Sequence, residues 1–141
     1  MYSLSKLALL VLTGLGLAST AVAAPIEAED PLADAARHGW ATHYNPGVGT
    51  GACGWNNNGN ELVAAIGTHL YETMMIDGNP NHSKACGKHV HVTWHGKSTT
   101  AKVVDRCSAC GDNDLDLSPA AFTKLAPLGN GKLNGIAWQF V

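Results

Sequence analysis

Charge is scarce in this sequence of 141 residues. Only 14% of the side chains are Asp, Glu, Lys or Arg, nine of them basic and eleven acidic. The basic residues are scattered, which excludes the electrostatic footprint of a nucleic-acid binder. Long apolar runs are missing after the first twenty residues, and nothing later approaches the ~20 residues that cross a bilayer. No internal repeat is visible. Metal-ligand spacing is missing as well. Cys53 and Cys86 stand alone, so Cys107 and Cys110 have no second paired cluster with which to complete a zinc site. The acidic run Asp112-Asn113-Asp114-Leu115-Asp116 has Leu117 and Thr123 where a calcium loop needs Gly and Glu. Neither a metal nor a cofactor is expected.

What is present begins with a targeting pattern. Lys6 precedes an apolar run from Leu7 to Leu17, followed by small residues and the step Ala21-x-Ala23. Residues 1–23 are therefore expected to be a secretory signal. Residues 24–37 are acidic, rich in Ala and poor in large apolar groups, as in a flexible leader or pro-segment. Residues 38–141 then form one small domain with one core. The mature protein is expected to be extracellular, free of membrane and monomeric.

Four cysteines in a secreted chain imply two disulfides, with three possible pairings. Cys107 and Cys110 are close enough to close a small loop. Cys53 and Cys86 would then close a long one, which restricts the unfolded chain more. A redox role for Cys107-x-x-Cys110 fits poorly. The pair follows a strand, not the strand-to-helix turn of a thioredoxin-like unit.

The pattern along the domain is mostly β. Gly39 to Tyr44 alternates large and small residues, and Asn45 to Gly51 stacks turn formers. Glu61 to Ile66 is short and apolar, and periodicity does not decide between a strand and a helical turn. His89, His91 and Thr93 alternate with Val90, Val92 and Trp94; His95-Gly96-Lys97 connects them to Thr99–Val104 in a hairpin. Ile136 to Val141 reads as a last strand. Many short strands with one short helix suggest a small closed barrel, since closure removes open edges. Trp40, Trp94 and Trp138 are expected in its core, while Trp55, flanked by Gly54 and Asn56, is expected at the surface. His89 and His91 are expected on a solvated strand face.

The chemistry concentrates between Val103 and Phe122. Val103-Val104 reads as the end of a buried strand, with Asp105 at its exit. Leu115 and Leu117 point one way, so Asp116 points the other, with Asp114. Ser118 can cap a helix opened by Pro119, whose missing N–H would be unpaired there anyway. Asp116, near apolar neighbours, can hold a proton or donate a hydrogen bond. The plainer role is a carboxylate at a helix start. Asp105 can orient a ligand hydroxyl, or it can simply pair with Arg106 or cap a loop. Tyr44 and Trp55 are candidates for stacking on a flat or ring-shaped ligand.

Ala41-Thr42-His43-Tyr44, Gly51-Ala52-Cys53-Gly54, Cys86-Gly87-Lys88, Val104-Asp105 and Asp116-Leu117-Ser118-Pro119-Ala120-Ala121-Phe122 occur in that order. Together they resemble the double-psi β-barrel domain of expansins, most of all the single-domain fungal loosenins. Rare lipoprotein A-type and barwin-like domains share that barrel. The resemblance covers residues 39 to 141. It implies a mainly β fold: a six-stranded double-psi barrel with one or two short helices and a shallow polysaccharide groove. It places Asp116 at the position needed for wall loosening and Asp105 at the second polar position. It places Thr42 and Tyr44 in the cleft wall; Trp55 and Ser118 are expected beside them among the polysaccharide contacts. It also favours the pairings Cys53–Cys86 and Cys107–Cys110.

The implied partner is a cell-wall polysaccharide (cellulose, chitin or peptidoglycan) bound without hydrolysis. Expansins add a carbohydrate-binding domain with a flat aromatic face; here binding is expected from the barrel itself. Two alternatives stand beside this. One is a cysteine-protease inhibitor or secreted effector acting through the Pro46–Gly51 loop. The other is a weak inverting endoglycanase. Inversion needs a second carboxyl roughly 6.5–9.5 Å from the acid, and around Tyr44 only His43 and Asn45 are offered, which disfavours it.

Overall fold

The computed structural model describes residues 16, 20–24 and 35–141. The expected signal and leader lie almost wholly outside these residues. Six strands close into one barrel: β1 (Arg37–His43), β2 (Val63–Gly67), β3 (His89–Trp94), β4 (Lys97–Cys107), β5 (Leu115–Leu117) and β6 (Lys132–Phe140). Around the barrel they run β1-β5-β2-β4-β3-β6. The β1–β5 and β2–β4 pairs are parallel, and the other four are antiparallel. Two short helices, α1 (Thr68–Thr73) and α2 (Pro119–Thr123), complete the architecture. This is the mainly β closed barrel that the resemblance implied.

The undecided apolar segment resolves as β2, all five residues of which are buried. A strand there satisfies its backbone on both sides, against β4 and β5. The chain then turns straight into α1, which sequence pattern did not announce. The helix is brief, and its buried residues, Leu70 and Tyr71, are adjacent rather than spaced by a turn. The hairpin between β3 and β4 has φ of 47° at His95 and 79° at Gly96. Two successive positive φ values match the twist of the flanking strands, which is why Gly is favoured there.

The interior is filled by inward residues of every strand, among them Ile66, Val92, Leu117, Leu133 and Trp138, all at most 2% exposed. Phe122 and Leu125 seal one end and Leu70 and Tyr71 join from α1. Both expected disulfides are present, Cys53–Cys86 and Cys107–Cys110. The Tyr71 hydroxyl donates to Pro80 O at 2.6 Å and lies 3.4 and 3.1 Å from the two sulfurs of the first. The second disulfide closes the turn before a loop that braces β1. Asp114 accepts hydrogen bonds from Trp40 N and Gly111 N, and Trp138 Nε1 donates to Asn113 O at 2.8 Å. Gly39 has to be glycine, because a Cβ there would run into the Asn113 carbonyl.

Three expectations are corrected. β4 does not stop at Val104 but continues to Cys107, so Asp105 lies within the strand. Trp40 is not core: it is half-buried and sits on the outer side of β1, because its neighbour Ala41 takes the inward position. Trp94 is only partly buried. It packs against the core, donates its indole N–H to Asn134 O at 2.9 Å and stacks on His95 at 3.7 Å.

Candidate functional site

Register brings the two aspartates together. Ala65 on β2 is paired with Asp116 on one side and with Asp105 on the other. Asp116 is paired in turn with Thr42 on β1, and Thr42 with Lys132 on β6. Side chains at paired positions share a face of the sheet. One row, Lys132–Thr42–Asp116–Ala65–Asp105, therefore runs across the outside of five strands. Ala65 contributes only a methyl group, which leaves the centre of the row low.

Asp105 reaches that face through a β-bulge. The register of β2 against β4 shifts between Ala64 and Ala65: Ala64 is opposite Val103 and Ala65 is opposite Asp105. Val104 is the extra residue, and both valines are buried. Without the bulge, strict alternation would put Asp105 on the same side as Val103, in the core. Bulges commonly re-aim a side chain in this way. The signal in the sequence is the break of period two at Val103-Val104-Asp105.

Asp116 is half-buried, and its Oδ1 accepts a hydrogen bond from the Thr42 hydroxyl at 3.0 Å. Burial raises its pKa above the usual carboxylate value. The Thr42 bond and nearby His43 pull it back, and the charge of Asp105 pushes it up again. The net shift is upward, toward a carboxyl that keeps its proton longer than an exposed one. His43 is held with its ring edge-on to Phe122 at 4.8 Å and with Nε2 3.2 Å from Leu128 O.

Asp105 is pinned instead. Its Oδ1 accepts from Ala52 N at 2.8 Å and from Arg106 N at 2.9 Å. The expected loop cap is thus real, and it fixes the Gly51–Trp55 turn beside the groove. Cys53 N adds a bond to Val104 O, and Gly51 N one to Trp55 O. The Arg106 side chain turns away to Glu72, 3.4 Å distant.

Tyr44 follows β1 directly, and its backbone N–H extends the β1–β5 pairing by donating to Leu117 O at 2.9 Å. Trp40, Thr42 and Tyr44 therefore stand at alternate positions on one face. The Tyr44 hydroxyl is buried and has no hydrogen-bond partner among the described residues. Burial, then the charges of Asp105 and Asp116, raise its pKa, so it remains a donor at any ordinary pH. A buried donor without a partner is costly, and here it faces two carboxyl groups. A depression of about 190 Å³ opens next to it, lined by Tyr44, Asn45, Pro46, Thr50, Gly51 and Asp105 among others. A larger hollow of about 720 Å³ lies elsewhere, by Met75, Ile76 and Lys84, and includes neither aspartate.

Trp55 is 41% exposed, with the Lys102 ammonium 5.1 Å from its ring centroid. Ser118 is the exception among the expected contacts. It is fully buried: its hydroxyl donates to Glu61 O at 2.6 Å and accepts from Ala121 N at 3.2 Å. Its place is in the scaffold under Asp116, not on the groove surface. Among the described residues, no three His, Cys, Asp or Glu side chains converge as a metal cluster would.

A family model described as lytic transglycolase matches residues 36–136. The chain belongs to this RlpA-like double-psi β-barrel family. Among relatives of the barrel, a papain inhibitor of Streptomyces mobaraensis is 37% identical over 125 residues, which cover 86% of this chain and 82% of that protein. The solved Streptomyces papain inhibitor superimposes with a TM-score of 0.71 at 36% identity, covering 79% of this chain and 99% of that one. An expansin variant from Clavibacter michiganensis, solved in complex with cellohexaose, gives a TM-score of 0.62 at 27% identity; the match covers 76% of this chain and 50% of the expansin. Expansin-like protein 3 of Dictyostelium discoideum is 28% identical over 119 residues, 77% of this chain and 33% of that protein. This barrel thus spans half or less of its expansin-type relatives and nearly all of the inhibitors.

Proposed function

We propose that this barrel is a secreted protein that binds a cell-wall glycan in the groove between Tyr44 and Thr42 and loosens the lateral contacts of the chains without cutting them. The observation that carries this is the row itself. Asp116 is held by Thr42, its pKa is raised, and the unpartnered Tyr44 hydroxyl lies within reach of its charge. Asp116 can offer a hydrogen bond to a sugar oxygen, while Asp105, fixed by two backbone amides, accepts one from a hydroxyl; the Tyr44 hydroxyl is buried, so that residue contributes the wall of the groove. Trp55 supplies an apolar face at the Asp105 end. The expansin solved with cellohexaose supports a glucan as partner, and the family description makes peptidoglycan a second polymer to test.

Asp105 is held through Oδ1 alone, which leaves its second oxygen open to a sugar hydroxyl or a water, so cleavage is tested directly beside binding. The test is a pull-down on cellulose, chitin and peptidoglycan, run beside an assay of released reducing ends. Retention on one polymer by the wild type, its loss in Asp116→Asn and no new reducing ends would support the proposal. Equal retention of the variant would overturn the part given to Asp116, and steady release of reducing ends would make the protein an endoglycanase.

A second function rests on a separate observation: the papain inhibitors match this chain at nearly their full length. Under it, the Pro46–Gly51 loop docks into the cleft of a papain-like protease, and Asp116 is irrelevant. Titrating papain with the wild type and Asp116→Asn decides between the two, since inhibition at equal strength by both proteins would favour the inhibitor.

A further inference from the structure

The glycan groove proposed above does not end at Thr42. The next position in the row is Lys132, and two residues before Thr42 on the same face of β1 is Trp40. The two side chains meet: the Lys132 ammonium lies 4.3 Å from the centroid of the Trp40 ring, a close cation–π contact. Trp40 is anchored through its backbone, N–H to Asp114 Oδ1 at 3.1 Å, so the ring has a fixed place beside the groove.

The charge along the row is uneven. At the Asp105 end, Lys102 stands over Trp55 in the same manner, but its field falls on Glu61, whose carboxyl the Asn58 amide and the Asn57 side chain keep ionised and Lys102 favours further. At the other end, none of the ion pairs among the described residues involves Lys132. Lys132 and Asp116 flank Thr42 on neighbouring strands, about 10 Å apart at their Cα atoms by strand spacing. The ammonium is turned to the indole and not to the carboxyl. The middle of the groove thus carries the half-buried Asp116 carboxyl, held by Thr42, and the β6 end an exposed ammonium resting on an aromatic face.

The geometry points to a subsite at Trp40 and Lys132 that takes an acidic sugar unit, a hexuronate or a sugar bearing a carboxylated substituent, next to the neutral unit bound at Asp116. The sugar face packs on the indole, and its carboxylate takes the ammonium from the ring. The inference rests on the glycan reading of the groove and adds to it a preferred charge and a direction, acidic end toward β6.

Isothermal titration of the whole protein with cellohexaose, and with the same hexamer oxidised at C6 to contain glucuronate units, tests it. The wild type is expected to bind the oxidised hexamer about fivefold more tightly, the size of one exposed ion pair, with the preference fading as salt rises. Lys132→Gln is expected to erase the preference, bringing the affinity for the oxidised hexamer down to that for cellohexaose. A nuclear magnetic resonance titration keeps the test independent of stability: the Trp40 indole signal, assigned with Trp40→Phe, should move with the oxidised hexamer in the wild type. Cellohexaose binding without any preference, or a preference that survives Lys132→Gln, would overturn the subsite alone. Failure of both hexamers to bind would overturn the reading of the groove as a glucan site as well.

Discussion

Thr42 donates its hydroxyl hydrogen to Asp116 Oδ1 across a parallel strand pair, at 3.0 Å. The bond stabilises the charged form of a carboxyl that burial pushes toward the neutral one. Thr42→Val removes the donor and keeps the branched shape that suits a strand. The Asp116 pKa should then climb further, which a carbon-detected titration of its carboxyl group would read. An unchanged titration would mean that the bond has no hold on the proton.

The pH dependence of stability has a definite sign. In the unfolded chain Asp116 titrates near 3.8, and in the barrel it titrates higher. Between the two values the native state binds more protons, so its stability falls as pH rises through that window. The loss is complete above the folded pKa. Asp116→Asn removes this cost, and the melting temperature of the variant should rise relative to wild type from pH 4 to pH 7. Parallel melting curves at all pH values would contradict the burial of this carboxyl.

The two disulfides should differ in worth. Cys53–Cys86 joins residues 33 apart and Cys107–Cys110 residues 3 apart. Loop-closure entropy gives about 4 kcal/mol for the first and about 2 kcal/mol for the second. Paired Cys→Ala replacements followed by urea unfolding would show the order. The short bridge should lose more than its loop length predicts if the loop behind it, which holds Trp40 N and Trp138 Nε1, also slackens.

Ser118→Ala strips the cap of α2 and leaves the Glu61 carbonyl without its side-chain donor. A lost cap costs about 1 kcal/mol, and the hydrogen bond to the Glu61 carbonyl, which keeps only its bond from Val63 N, adds about as much again. Chemical denaturation should register about 2 kcal/mol. Glycan binding, measured on the fraction that remains folded, should be nearly unchanged, because the hydroxyl never reaches the groove.

Much of this site was legible from local rules. Alternation at Leu115-Asp116-Leu117 correctly turned Asp116 outward, and Ser118-Pro119 correctly marked a helix start. Asp105 was harder. Its orientation depends on a register shift against β2, a partner some forty residues away, and its one local trace is the break of period two at Val103-Val104-Asp105. Trp40 misled for a related reason. A large aromatic next to Gly39 and Ala41 reads as core, yet the small Ala41 is the inward residue because the opposing positions on β5 and β6 are Leu115 and Leu133, which already fill the interior. Ser118 shows the converse: a motif residue can be needed for the shape of a site without touching its ligand.

The position of β1 has a consequence for how the molecule comes into being. Ala41 sits between Leu115 and Leu133, so the first strand is clamped by the fifth and the sixth. A nascent chain that has emerged only as far as β4 holds the β3–β4 hairpin, but it has no neighbours to offer β1. Closure waits for the final segment, and contacts of such long sequence separation form slowly. Until then Trp40 and Tyr44 remain uncovered, and the groove exists only once the last strand has arrived.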